Sequence, residues 1–295
     1  MSLEDLGITD YVPTELHIDG DIVIYKQCCI FNEDTDEARA SIAKYVKLQI
    51  DKLMAMSQSD KYIFFLTTKT NFRDFIVDDY KKNREGIERP VNLKWAKSWA
   101  MKNTNAHYET QLEADDLLGI YQNENSIIWS LDKDLRQIHG RHLDDASGEV
   151  IDISYEGSII ETKRPKKSTK YYFDGMMGFY FQLLTGDSTD YILGCGTRVE
   201  KVYKTGAKAG QEYIARQGIG PGAAYKLLNG KSLTEALQVV RDEYEKIHGE
   251  WWIAEMEAQA HLLWMVRHQC DSDIKMWTHD DRDLWMNLET GAFHE

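Results

Sequence analysis

Carboxylates stand at the ends of apolar runs throughout this sequence. Asp19 closes the run TELHID and is followed by Gly20 and Asp21. Glu113, Asp115 and Asp116 open LEADDLLGIY. Asp132 and Asp134 follow IIWSL, and Asp187 and Asp190 lie in TGDSTDYILG. Gathered into one cleft, these charges would repel one another strongly, so a cation has to compensate. Hard oxygen donors without a His or Cys cluster suit Mg²⁺ or Mn²⁺ rather than zinc. Two such ions about 4 Å apart activate a water and stabilise the leaving oxygen of a phosphodiester. Each piece alone has a plainer meaning. An Asp after a strand is commonly a turn residue or helix cap, and acids in a first helical turn are ordinary. DKD at 132–134 lacks the Gly and Glu that a calcium loop places downstream. The ordered set, each member at the end of an element, is what points to metal chemistry.

The bases are grouped as well. Residues 81–102 hold seven bases against two acids, with Tyr80, Trp95 and Trp99 interleaved. Cations neutralise phosphates and aromatic rings stack on unpaired bases, so this stretch reads as a nucleic-acid contact. Its bland alternative is a solvated amphipathic helix whose tryptophans belong to the core. Residues 161–170 hold five bases against one acid and no apolar residue, which predicts a loop or mobile segment. Residues 198–216 are net +3 and contain glycine, as a loop tracking a backbone would. GIGPGAAYKLL at 218–228 fits a glycine turn opening a helix, where backbone N–H groups can meet a phosphate. A tight turn between helices is the alternative.

These groups need elements to position them. TELHID, YIFFLT ending near Thr67, and IIWSL at 127–131 read as buried strands. Between them, residues 36–56 carry apolar side chains at helical spacing, and LEADDLLGIY reads as a helix. Strands alternating with helices predict an α/β fold with a mostly parallel central sheet. In such a sheet the ligand crevice lies at the carboxyl ends of the strands, where Asp19 and Asp132 fall. From Asp174 onward the pattern reads as mostly helical. The division expected is residues 1–180 as core, with a basic region at about 80–110, and residues 181–295 as a helical region.

The chain has 295 residues, and 42% hydrophobic content excludes a fully disordered polymer. No run of about 18 apolar residues occurs, so no membrane span is expected. The acidic N-terminus lacks an apolar signal core, and four cysteines without metal-type spacing read as reduced thiols, so a cytoplasmic location is expected. The formal charge of −14 seems at odds with a nucleic-acid partner. Sorted by position, bases cluster in three segments, while residues 1–37 are net −9 and residues 271–295 net −5.

Taken together, IDGD at 18–21, FRDFIVDDYKKNR at 72–84, LEADDLLG at 112–119, LDKDL at 131–135, TGDSTDYILG and GIGPGAAYKLL resemble, in this order, the flap endonuclease and 5′→3′ exonuclease family. That family includes the 5′-nuclease domain of bacterial DNA polymerase I and phage exonucleases, those of short-tailed coliphages being most similar. The resemblance spans about residues 15–230. It implies a PIN-like 5′-nuclease core with a helical arch, and a helix–three-turn–helix element in a mostly helical C-terminal region. It implies that Asp19, Glu113, Asp115 and Asp116 serve a first metal ion, and that Asp132, Asp134, Asp187 and Asp190 complete the site of a second. Lys81 and Arg84 would contact the scissile phosphate from the arch base, and Tyr80 would stack on a terminal base. Arg73 would serve substrate or structure, and Lys82 would contact DNA. Gly218, Gly220 and Gly222 would hold the duplex backbone, with K⁺ as a further cofactor. The implied function is Mg²⁺- or Mn²⁺-dependent hydrolysis of DNA at 5′ ends, nicks or flaps, with RNA–DNA hybrids as further substrates, in phage-type replication or recombination. A PIN-like ribonuclease and a non-catalytic nucleic-acid binder are the alternatives. Two departures stand out. Thr68 occupies the aligned position where the family has Asp after the second strand, and about two dozen residues separate GDSTD from GIGPG.

Overall fold

The computed structural model describes residues 14–77, 80–84, 86–164, 169–207 and 209–295. They pack as two units. One takes the chain up to Thr70 and again Glu88–Ile153, and the other takes Asn71–Ile87 and Ser154–Glu295.

The first unit is built on a six-stranded sheet. Its elements are β1 (Glu15–Asp19), α1 (Gly20–Ile30), α2 (Asp36–Ser57), β2 (Lys61–Phe65), α3 (Leu93–Asn103), β3 (Ala106–His107), α4 (Ala114–Tyr121), β4 (Ser126–Trp129), β5 (Gly140–Leu143) and β6 (Val150–Ile153). The strand order is β3-β2-β1-β4-β5-β6, parallel except where β6 pairs with β5. This is the expected α/β sheet with flanking helices. Central β1 lies between β2 and β4, so every residue from Leu16 to Asp19 is buried, as a strand covered on both faces must be. Helix α1 begins directly at the end of β1. A side chain at Gly20 would meet the Phe64 ring and the Phe65 carbonyl at 2.6 Å, so only glycine lets the helix start there. Helix α2 buries Ile42, Val46, Ile50 and Leu53, the stripe seen in the sequence.

Helix α3 takes up part of the expected basic region. Ala96 and Ala100 are fully buried, and Trp95 and Trp99 pack against the core of α1, α2 and the sheet. The tryptophans thus follow the amphipathic-helix alternative. Among the described residues between Arg84 and Leu93 there is no helix. Small residues at i, i+4 let α3 lie close to its neighbours, which fixes it on the sheet layer.

The second unit departs further from expectation. Where a loop was expected at 161–170, the described residues at both ends are paired strands, β7 (Ser158–Lys163) antiparallel to β8 (Thr169–Asp174), and residues 165–168 lie outside the described set. Helix α5 (Gly175–Thr185) is buried along its length from Gly175 to Leu184. Next comes a second antiparallel hairpin, β9 (Gly196–Val202) and β10 (Glu212–Gly218), where a basic loop was expected. Helices α6 (Pro221–Leu228), α7 (Leu233–His248) and α8 (Trp252–Leu263) follow. The chain then forms a four-stranded sheet of short strands, β11 (Gln269–Cys270), β12 (Asp273–Lys275), β13 (Trp285–Asn287) and β14 (Phe293–His294). The region after Asp174 is therefore mixed, not mostly helical. Among the described residues no helix is long and apolar enough to cross a membrane.

The buried Tyr244 of α7 donates to the Leu183 carbonyl of α5 at 2.9 Å, and Ser232 caps α7 in a reciprocal box with Glu235. The glycine turn follows a strand: Gly218 ends β10, Gly220 caps α6 and Pro221 takes its first position. The hairpin before it has a closed base, for Gly196 pairs with Gly218 and a side chain at Gly218 would meet the Cys195 carbonyl at 2.6 Å. Arg216 ties that base together. Its guanidinium donates to the carbonyls of Leu184 (2.8 Å), Leu193 (2.6 Å) and Ile219 (3.0 Å), joining the end of α5, the following loop and the glycine turn.

Candidate metal and nucleic-acid site

In the first unit, the acids collect at the carboxyl ends of parallel strands. Asp19, last residue of β1, is 2% exposed, and its carboxylate accepts from the Ile22 amide as the cap of α1. The Ser130 hydroxyl, just past β4, donates to its other oxygen at 2.7 Å. Ser130 in turn accepts from the Asp132 amide at 2.9 Å, and Asp132 accepts from the Asp134 amide at 2.9 Å. A string of hydrogen bonds thus joins Asp19, Ser130, Asp132 and Asp134 across two adjacent strand ends. Burial, and then the charge of Asp21 beside it, push Asp19 up to about 7, against the hydrogen bonds from Ser130 and Ile22. Asp132 adds to the same push. Burial leads that shift, and the two neighbouring carboxylates add to it.

The helix α4 carries the next acids. Glu113 is its N-cap, and Glu113 and Asp116 each bind the other's backbone amide in a capping box. Asp116 is fully buried, and its pairing with Glu113 serves helix initiation, while Asp115 is half-buried in the first turn. Two further residues hold this end together, and sequence reasoning gave neither that role. Lys97 of α3 places its ammonium 2.7 Å from Asp21 and donates to the Thr67 carbonyl at 3.0 Å. Thr67 donates its amide to Asp21 (3.3 Å) and accepts from Ala114 at the start of α4 (2.9 Å). The aligned Thr68 points its hydroxyl to the Glu109 carbonyl instead, at 3.1 Å. Thr67, one residue earlier, is the one joined to the acids.

Lys97 supplies positive charge inside an acidic cluster, so Lys97→Met is expected to lower the melting temperature by several degrees without divalent ions, from roughly 1–3 kcal/mol of lost charge-assisted bonding. Added Mg²⁺ should raise the melting temperature of the variant more than that of the unsubstituted chain. Thermal melts with EDTA and with Mg²⁺ check this.

The donor set fits a hard divalent ion. Every ligand atom offered at this end is oxygen, and Mg²⁺ usually binds through one or two carboxylates and keeps several waters. Among the described residues, Glu257, His279 and Asp280 form the one group with three ligand atoms within 4.8 Å of one another. Arg282 already pairs with both Glu257 and Asp280 there, so the group is a compensated ion-pair cluster.

In the second unit, YKKNR docks on the loop that carries Asp187 and Asp190. Asp187 is 6% exposed; it pairs with Ile192 through both backbone groups, and its carboxylate accepts from the Thr189 amide. Asp190 receives Arg84 in an ion pair and Lys81 at 3.5 Å. The Lys81 amide donates to the Asp190 carbonyl, and Asn83 donates to the carbonyls of Ser188 and Thr189. Lys81 adopts a left-handed backbone, φ +54°, and its ammonium lies 4.8 Å from the Tyr80 ring centroid. The structure thus brings Tyr80, Lys81, Arg84 and Asp190 together, and Lys82 lies in the same short turn.

Of the two roles expected for Arg73, substrate or structure, its surroundings favour structure. It is 1% exposed, lies over the Phe72 ring, and donates to the carbonyls of Leu262 (2.9 Å) and Trp264 (2.7 Å). Those carbonyls end α8 and lack helical partners, so Arg73 completes a helix terminus.

No family model matches the chain, and no curated protein matches it. Solved structures do. One described as divalent metal ions (zinc) bound to the 5′-exonuclease of phage T5 aligns with a TM-score of 0.50 and 14% identity, covering 85% of this chain and 86% of that one. A complex of the phage T5 flap endonuclease with DNA and metal ions aligns with a TM-score of 0.45 and 13% identity, covering 85% and 99%. The six-stranded α/β core and its flanking helices resemble the T5 exonuclease fold.

Proposed function

We propose that this chain is a divalent-metal-dependent 5′-nuclease that hydrolyses phosphodiester bonds of DNA at 5′ ends, nicks or flaps, with RNA–DNA hybrids as further substrates, in phage-type replication or recombination. The observation that carries the reading is the string Asp19–Ser130–Asp132–Asp134 at adjacent strand ends, with Asp19 held at about 7. The fold it shares with the T5 5′-exonuclease, a protein described with divalent metal ions, supports it. Asp19, Asp132 and Asp134, with Glu113, Asp115 and Asp116 on α4, would hold the metal; Mg²⁺ or Mn²⁺ suits the oxygen donors. Asp187 and Asp190 are proposed as further metal-binding acids. Bound ions would supply Lewis-acid activation of water and neutralise charge on the phosphodiester.

The chain's own residues divide the remaining work. Ser130 and the Ile22 amide orient Asp19. Lys81 and Arg84 would turn from Asp190 toward the phosphate and stabilise its developing charge. Tyr80 would stack on a terminal base, and Lys82 and the turn at Gly218, Gly220 and Gly222 would hold the backbone, with K⁺ as a further ligand there. The helix–three-turn–helix reading of that turn is part of the proposal, as is the division of labour between residues 1–180 and 181–295.

A carboxyl raised to about 7 holds its proton below that pH, and metal must displace it. The affinity for Mg²⁺ is therefore expected to fall between pH 8 and pH 6, approaching tenfold per unit below pH 7. Calorimetric Mg²⁺ titrations at pH 6, 7 and 8 measure it, and a flat affinity would remove Asp19 from the ligand set. The activity itself is tested on 5′-labelled flap DNA beside single-stranded RNA; cleavage of the RNA alone would favour a PIN-like ribonuclease.

A further inference from the structure

The outer face of the β7–β8 hairpin carries charge that the proposed chemistry does not use. Alternation along the two strands sorts their side chains. Phe173 is buried against Phe181 of α5, and Tyr171 on the same face lies 6.0 Å from Phe181 and 5.4 Å from Tyr225 of α6. The opposite face carries Ile160 across from Tyr172 and Thr162 across from Lys170, with Arg164 just beyond β7. Ile160 and Tyr172 are 55% and 44% exposed. Two cations converge on that one ring: Lys170 places its ammonium 4.3 Å from the ring centroid, and the Arg164 guanidinium donates to the Tyr172 hydroxyl at 3.4 Å. The acids of the hairpin are engaged elsewhere, Glu161 with the Tyr171 hydroxyl on the inner face and Asp174 with Ser158 at the base. Both cations also draw the Tyr172 hydroxyl below its ordinary pKa.

We infer that the outer face of this hairpin, through Arg164, Lys170 and Tyr172, docks the phosphate backbone of duplex DNA. Two like charges held beside a neutral ring are complementary to a phosphate diester, and the phenol adds a hydroxyl donor; Asp174, on the same face, is engaged by Ser158 at the base of the strand pair. Lys170 covers the Tyr172 ring, which favours backbone contact over base stacking. The hairpin is fixed beside the glycine turn: a methyl group on Gly222 would lie 3.3 Å from the Tyr171 hydroxyl. Contacts spaced along a hydrogen-bonded strand pair suit a stiff duplex better than a flexible single strand.

The inference rests on the reading of DNA as substrate, and the experiment separates the two. Anisotropy of a labelled duplex in EDTA compares the unsubstituted chain with a variant carrying Arg164→Ala, Lys170→Ala and Tyr172→Phe, across a salt series. All three side chains are exposed, so the variant should melt as the unsubstituted chain does. The expected result is duplex binding weakened about tenfold or more, with the slope of log K against log salt shallower by roughly 2, for two lost phosphate contacts. Binding of a single strand should weaken less. An unchanged duplex affinity and slope in the variant would overturn the hairpin inference while leaving the nuclease reading intact. No duplex binding by the unsubstituted chain would overturn both.

Discussion

Asp19→Asn and Asp132→Asn are each expected to lower the rate of DNA cleavage by on the order of a thousandfold or more, while the protein stays folded and still binds DNA. The two residues differ in setting, which makes the pair informative. Asp19 is buried, caps α1 and accepts from Ser130. Asparagine keeps the size and one acceptor oxygen, so most of the local hydrogen bonding survives while the charge is lost. Because the Asp19 carboxyl is raised to about 7, its neutralisation also relieves repulsion from Asp21 and Asp132. The Asp19 variant should therefore melt no lower than the unsubstituted chain at pH 8 without metal. Asp132 is exposed, and its role in the fold is to hold the turn to Asp134. Single-turnover cleavage of a labelled flap, with thermal melts alongside, separates lost chemistry from lost fold. Full activity in both variants would remove them from the metal site.

The second large effect falls on stability. Arg73→Met is expected to cost about 3 kcal/mol or more, because it strands two buried carbonyls at the end of α8. In a unit of this size that lowers the melting temperature by roughly 10 °C. Arg73→Lys should recover part of the loss, since an ammonium lacks the planar fork that reaches both Leu262 and Trp264. The cleavage rate per folded molecule should be unchanged at low temperature. A variant that melts normally but binds DNA weakly would place Arg73 among the DNA-contacting residues instead.

What the sequence disclosed follows from where its signals are local. The strands β1 and β4 are buried on both faces, β2 at its last two residues, and all three read as apolar runs, although β2 ends at Phe65 and β4 spans Ser126–Trp129, each stopping two residues short of its apolar run. The acids at their ends were visible because a polar residue closing an apolar run is itself a pattern. The links between those acids were not, because Ser130 meets Asp19 across 111 positions and Lys97 meets Asp21 through the packing of α3. The tryptophans of α3 misled through composition: among lysines they resemble a stacking surface, yet Ala96 and Ala100 at helical spacing pointed to a core helix. The β7–β8 and β9–β10 hairpins were hidden by charge, since strands with one exposed face carry lysine and arginine where a core strand carries valine. Strands of two or three residues, as in β11–β14, are too short to carry a period.

The central claim is that oxygen donors at the carboxyl ends of β1 and β4, with those of α4, support metal-dependent phosphodiester hydrolysis. The most direct test incubates the purified chain with 5′-labelled duplex and flap DNA, with Mg²⁺ and with EDTA, and follows the length of the labelled products. Short labelled products that appear with Mg²⁺, vanish with EDTA and are lost in Asp132→Asn are predicted. DNA that is bound yet stays intact with Mg²⁺ and with Mn²⁺ would contradict the account.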